Sequence, residues 1–179
     1  MGKLLGEDGT DPQEPERANF HRQCGSDSRG PGPVRSCVLD ASVVTKWFLD
    51  EVGSKAARAL QGAHLEMAAP QFLFLELANV LWKQVRKGAL DVAAGSKILS
   101  TLEEAPIQWQ EDALLFHDAF LLAADTGRTA YDCLYLALAR RKGSPLITAD
   151  RKFFDAISSG PLAEHILWIE SVPDVVSSE

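Results

Sequence analysis

Four carboxylates stand out by the residues around them. Asp40 closes the short apolar run Ser36-Cys37-Val38-Leu39, and Asp150 follows Pro145-Leu146-Ile147-Thr148 in the same way. Asp132 falls in the first turn of a helical stretch opening at Thr129. Glu76 interrupts an apolar helix face made by Phe72, Leu73, Leu77, Val80 and Leu81. A lone buried carboxylate costs several kcal/mol unless it is paired, hydrogen-bonded or metal-bound. Two carboxylate charges about 5 Å apart repel by roughly 3 kcal/mol at an effective dielectric near 20. Four gathered together would stay largely protonated without a divalent cation among them. All-oxygen ligation selects a hard ion, Mg²⁺ or Mn²⁺. Such an ion acidifies a bound water and offsets charge on a scissile phosphate, so these residue types suit phosphodiester hydrolysis. Spacing alone does not bring the four acids together.

Each acid also has a plainer reading. Asp150 can be the N-cap of the helix that follows it. Thr129-Ala130-Tyr131-Asp132 has the capping-box pattern. Asp40 can accept hydrogen bonds in the turn before Ser42. Glu76 can sit in a buried salt bridge to Lys46 or Arg128.

The elements that must position these acids alternate. Strands are expected at Ser36–Leu39, Glu66–Ala69, Pro106–Trp109, Pro145–Thr148 and Ile166–Ile169. Between them, helical patterns cover Val43–Leu49, Ser54–Ala63, Phe72–Lys87, Asp91–Glu104, Asp112–Ala124, Thr129–Lys142 and Arg151–Ile157. Gly88, Gly127 and Gly143 supply stops, and Asp91 reads as an N-cap. This alternation implies an α/β domain of three layers, a mainly parallel sheet flanked by helices. Ligands of such sheets sit outside the carboxyl ends of the strands, where Asp40 and Asp150 fall.

The chain has 179 residues, 46% apolar and 24% charged, which suits one domain, expected at 34–172. Residues 1–33 are rich in Gly, Asp, Glu, Pro and Arg and end in the breaker run Arg29-Gly30-Pro31-Gly32-Pro33, so they read as a disordered extension. Residues 173–179 read as a tail. No apolar stretch is long enough to span a bilayer, and the first residues lack a signal-peptide pattern, so a cytoplasmic location without membrane attachment is expected. Cys24, Cys37 and Cys133 form no short-spaced pair, and His21, His64, His117 and His165 lack zinc-site spacing. A net charge of −7 counts against a large nucleic-acid footprint, though carboxylates neutralised by metal would account for part of it.

Four segments carry a family resemblance. Val38-Leu39-Asp40-Ala41-Ser42-Val43-Val44-Thr45-Lys46-Trp47-Phe48 resembles the opening motif of PIN-domain ribonucleases, particularly VapC toxins of toxin–antitoxin pairs. Pro70 through Glu76-Leu77-Ala78-Asn79-Val80-Leu81 resembles the second motif, Tyr131-Asp132-Cys133-Leu134-Tyr135-Leu136-Ala137-Leu138-Ala139 the third, and Leu146-Ile147-Thr148-Ala149-Asp150-Arg151-Lys152-Phe153 the fourth. The resemblance spans about residues 35 to 172, with all four acids present. It implies a PIN-like fold and a Mg²⁺- or Mn²⁺-dependent endoribonuclease that cleaves single-stranded regions of RNA. It further implies a homodimer silenced by a cognate VapB-type antitoxin.

By this resemblance Asp40, Glu76, Asp132 and Asp150 are catalytic metal ligands or orient metal-bound water, and Ser42 and Thr148 are hydroxyls that steady them. Lys46 and Arg151 are candidates for contact with RNA phosphates. Trp47, Phe48, Tyr131 and Tyr135 read as packing residues, and Cys133 has no neighbouring base to activate it. Two other functions remain open. One is a PIN-like module that binds protein partners and cleaves nothing. The other is a phosphatase with an aspartate nucleophile at Asp40, although Ser42 stands where such enzymes carry a second aspartate.

Overall fold

The computed structural model describes residues 35–172. The segments read as an extension (1–33) and a tail (173–179) lie outside the described residues. The described chain contains five strands: β1 (Ser36–Leu39), β2 (Glu66–Pro70), β3 (Ile107–Gln110), β4 (Leu146–Thr148) and β5 (Ile166–Trp168). They form one all-parallel sheet in the order β3-β2-β1-β4-β5. Seven helices accompany them: α1 (Ala41–Phe48), α2 (Ser54–Gln61), α3 (Phe72–Arg86), α4 (Val92–Glu103), α5 (Phe116–Thr126), α6 (Ala130–Lys142) and α7 (Arg151–Ser158).

Both faces of a parallel sheet must be covered, and the sequence supplies apolar strands and helices to match. Val38, Leu39, Ala69, Leu146 and Ile147 are fully buried. From Cys133 to Ala139 every residue of α6 is buried, as a helix packed on several sides requires. Trp47 lies in the core and donates its indole N–H to the Ala57 carbonyl at 2.8 Å. The caps follow the sequence. Asp91 accepts from the Ala94 N–H, and Gly127 and Gly143 close α5 and α6 in the left-handed conformation, where a Cβ would be strained.

One stretch departs from expectation. Residues 112–124, read as a single helix, divide into a 3₁₀ turn (Asp112–Leu114) and α5. The Asp112 carboxylate leaves its own segment to accept the Phe72 N–H at 2.9 Å, while Leu115 is fully buried. The turn tightens because its acid caps a different helix.

The strand order also sets the functional edge. From β1 the chain first builds outward through β2 to β3, then returns to the other side of β1 for β4 and β5. The switch point therefore falls between β1 and β4, and the strand ends carrying Asp40 and Asp150 adjoin it.

Candidate active site

Asp40 follows the last residue of β1 and caps α1, its Oδ1 accepting the Ser42 N–H at 2.8 Å. Its Oδ2 accepts the Thr148 hydroxyl, also at 2.8 Å, and Thr148 is fully buried at the end of β4. Ser42 Oγ accepts the Ala149 N–H at 2.9 Å and lies 3.4 Å from Thr148 Oγ1. Ser42 and Thr148 thus stitch the ends of β1 and β4 together around one carboxylate. Burial pushes the Asp40 carboxyl upward, and the Asp132 charge adds to this against the hydrogen bonds that oppose it.

Glu76 lies on the inward side of α3, and its neighbour is a hydroxyl. Tyr135, buried on α6, donates its phenol O–H to Glu76 Oε2. Neither salt-bridge partner considered from the sequence is used here. Lys46 pairs with Glu51 at 2.9 Å, and Arg128 pairs with Asp132 at 3.2 Å. Glu76 is pushed up to about 7, first by burial and further by the charges of Asp40 and Asp132, with the Tyr135 hydrogen bond pulling the other way.

Asp132 stands in the first turn of α6, where its N–H is accepted by Thr129 Oγ1 at 3.1 Å. Its carboxylate turns outward to Arg128, four residues earlier, whose guanidinium also covers the Phe153 ring at 5.7 Å. The Arg128 Nε is buried and unpaired. Asp150 is an N-cap, its Oδ1 accepting the N–H groups of Lys152 and Phe153 at 2.9 and 3.1 Å. Its own N–H is accepted by Thr148 Oγ1 at 3.0 Å, so one hydroxyl links it to Asp40. The capping reading of Asp150 therefore holds, with Oδ1 as the acceptor.

Asp40 and Glu76 thus both feel the Asp132 charge, while Asp150 is tied to the Asp40 carboxylate only through its backbone N–H and the Thr148 hydroxyl. Among the described residues, no three His, Cys, Asp or Glu side chains close tightly enough to enclose an ion. The donor chemistry still fits a hard divalent cation. Such an ion keeps several waters and takes only one or two carboxylates directly, and its charge would offset the burial and repulsion that raise Asp40 and Glu76. Cys133 cannot serve as nucleophile, because burial holds its thiol in the protonated form.

The two basic candidates each pair with a carboxylate outside the four. Lys46 sits in the last turn of α1, largely covered. Arg151 is exposed, pairs with Asp155 at 3.0 Å and rests against Phe154 and Trp168. Tyr131 is a correction to the packing expectation. It is 62% exposed and stacks on Phe72, because it stands one turn before Tyr135, beyond the covered part of α6. Sequence reasoning also missed Tyr135 as the partner of Glu76 and Arg128 as that of Asp132. The second had a signal in its i, i+4 spacing.

Comparison with known proteins agrees with this fold. The family model for the PIN domain matches residues 37–158. Ribonuclease VapC3 of Pyrobaculum aerophilum is 34% identical over 117 residues, covering 64% of this chain and 89% of that protein. Among solved structures, PAE2754 from Pyrobaculum aerophilum superposes with a TM-score of 0.61 at 22% identity, covering 80% of this chain and 90% of the other. A toxin–antitoxin complex from Klebsiella pneumoniae gives a TM-score of 0.52 at 15% identity, with 73% and 95% covered. At such identities the two structures speak for the fold alone. The family match, which takes in most of the ordered sheet and every acid of the edge, shows that this chain belongs to the PIN-domain family.

Proposed function

We propose that the chain is a Mg²⁺- or Mn²⁺-dependent endoribonuclease of the VapC type, the toxin of a toxin–antitoxin pair. One observation carries the reading: at the switch point of a parallel sheet, Asp40 and Glu76 are raised first by burial and further by the Asp132 charge that both feel. The sequence relationship to a protein named a ribonuclease supports it.

A divalent ion bound there would acidify a water and offset the charge that develops on the phosphate. The chain's own residues do the rest. Asp40 and Asp132 are the residues that would hold the ion. Thr148 and Ser42 keep the Asp40 carboxylate in one orientation, at 2.8 Å from each donor. Glu76, held by Tyr135, accepts a proton from water near neutral pH when ionised. Asp150 orders the loop after β4.

The likeness to a toxin–antitoxin complex supports a protein antitoxin as partner, one that presents a cation to the acidic edge. Two apolar stripes, Leu75 with Trp82 on α3 and Phe116 with Phe120 on α5, are exposed and suit pairing with a second copy. Among the described residues no helix is long and apolar enough to cross a membrane, consistent with work in the cytoplasm.

Purified protein should cut total-cell RNA into internal fragments with Mn²⁺ or Mg²⁺, and not with EDTA or in Asp132→Asn. Folded, inhibitor-free protein that cleaves nothing would transfer the assignment to a binding module. A phosphoenzyme trapped at Asp40 would transfer it to a phosphatase.

A further inference from the structure

We propose that the open face of Tyr131 is a stacking site for one nucleobase of the RNA strand, beside the carboxylates. The inference rests on the ribonuclease reading above and adds to it a contact that sets how the strand is held.

The first observation is the ring itself. Tyr131 is 62% exposed, whereas Tyr135, one turn further along α6, is 2% exposed. Tyr131 nevertheless has a fixed pose: it lies on Phe72 with ring centroids 5.1 Å apart and planes 9° from parallel. One face is covered by that stack, so the exposed area belongs to the other face and the edges. A parallel pair open on one side is a platform to which a third flat ring can add.

The second observation is position. The Phe72–Tyr131 and Glu76–Tyr135 pairs have the same sequence offset of 59, so the N-terminal turns of α3 and α6 meet at two matching levels. The platform therefore lies one turn, about 6 Å along the helices, outward of the Glu76–Tyr135 hydrogen bond. Tyr131 also precedes Asp132 directly. Both halves of the platform are anchored: Phe72 by its N–H bond to Asp112 Oδ1 at 2.9 Å, and Tyr131 by the Thr129 cap of α6. A surface ordered before binding loses little entropy when a base arrives.

The third observation is charge. The chain carries a net −7, and Arg128, Arg151 and Lys46 are engaged with Asp132, Asp155 and Glu51. Stacking is a hold on the strand that needs no free cation. Every base has a π-face, so the site tolerates sequence and holds a single strand rather than a duplex.

The test uses a single-stranded RNA oligonucleotide spanning a cleavage site mapped with the wild-type protein on total-cell RNA. Tyr131→Ala should raise KM for it by about 10-fold with little change in kcat, the scale of one base–aromatic stack. Tyr131→Phe and Tyr131→Trp should restore the wild-type KM. Removing one base from the oligonucleotide, position by position, should expose one position where the wild type loses about 10-fold and Tyr131→Ala loses nothing further. An unchanged KM in Tyr131→Ala, or equal abasic penalties in both proteins, would overturn the site while leaving the ribonuclease reading intact. A loss accompanied by a change in molar mass on light scattering would assign the ring to contact between copies instead. Wild-type protein that cuts no RNA would remove the ribonuclease reading, and this site with it.

Discussion

The two ends of the sheet both carry polar side chains, but in opposite electrical condition. At the amino ends of the strands a shallow cavity of about 120 Å³ is lined by Ser36, Glu66, Gln108, Lys142 and Ser144. There four of the groups pair off: Ser36 and Ser144 share a hydrogen bond of 2.6 Å, and Lys142 donates to Gln108 at 2.9 Å. At the carboxyl ends, Asp40 and Glu76 are raised by burial and by neighbouring carboxylate charge, with hydroxyls rather than cations as their partners. A fold left to itself pairs its polar groups. Like charges held together at one edge mark the place where a ligand completes the pairing.

Breaking the acidic end should have the largest effect. Asp40→Asn removes a charge that burial already penalises, and RNA cleavage should fall roughly 10³-fold or more, equivalent to about 4 kcal/mol of lost transition-state stabilisation. The same variant, melted in EDTA at pH 8, should be more stable than wild type. A variant that cleaves normally would place the chemistry elsewhere.

Thr148→Val should come next. Valine keeps the shape of threonine but strands the Asp40 carboxylate and the Asp150 N–H, both of which use that hydroxyl. A loss of about 1–3 kcal/mol in denaturant unfolding is expected, with activity about 10- to 100-fold lower. Unchanged kinetics would show that Asp40 is positioned without Thr148.

The pH response of Glu76 sharpens the contrast further. Its folded-state pKa of about 7 stands above the ordinary 4.5, so protonation favours the folded metal-free protein. That contribution is complete below about 4.5 and disappears as pH rises through about 7. Melting temperatures of wild type and Glu76→Gln in EDTA should therefore lie closest at low pH and separate above neutrality, with the variant higher. Added Mn²⁺ should raise the wild type more than the variant. Parallel curves across this range would remove Glu76 from the coupled set. The smallest effect is expected at the other end of the sheet. Ser144→Ala loses one shared hydroxyl bond, costing about 1 kcal/mol in stability and nothing in cleavage.

Much of this architecture is legible locally. Apolar runs, glycine stops and caps place nearly every element, and Asp40 and Asp150 are readable as strand-end acids because a strand followed by a helix puts its last polar residue on the edge. The inward lean of Glu76 follows from helical spacing alone. The split at Asp112 is not readable, because its cause is a bond to Phe72, 40 residues away. Nor is the difference between Tyr131 and Tyr135, which occupy one face of one helix and diverge only because the first projects past the packed layer.

The sequence by itself determined the alternating α/β pattern, the PIN resemblance and the four acids, all of which depend on residue type and short spacing. The tertiary structure alone decided which acid feels which. The order β3-β2-β1-β4-β5 sets Thr148 beside Asp40, 108 residues apart, and the alignment of α3 with α6 sets Tyr135 against Glu76, 59 residues apart. Those contacts arise because the sheet must bury both faces, and only one packing of the helices brings these polar groups to the same edge.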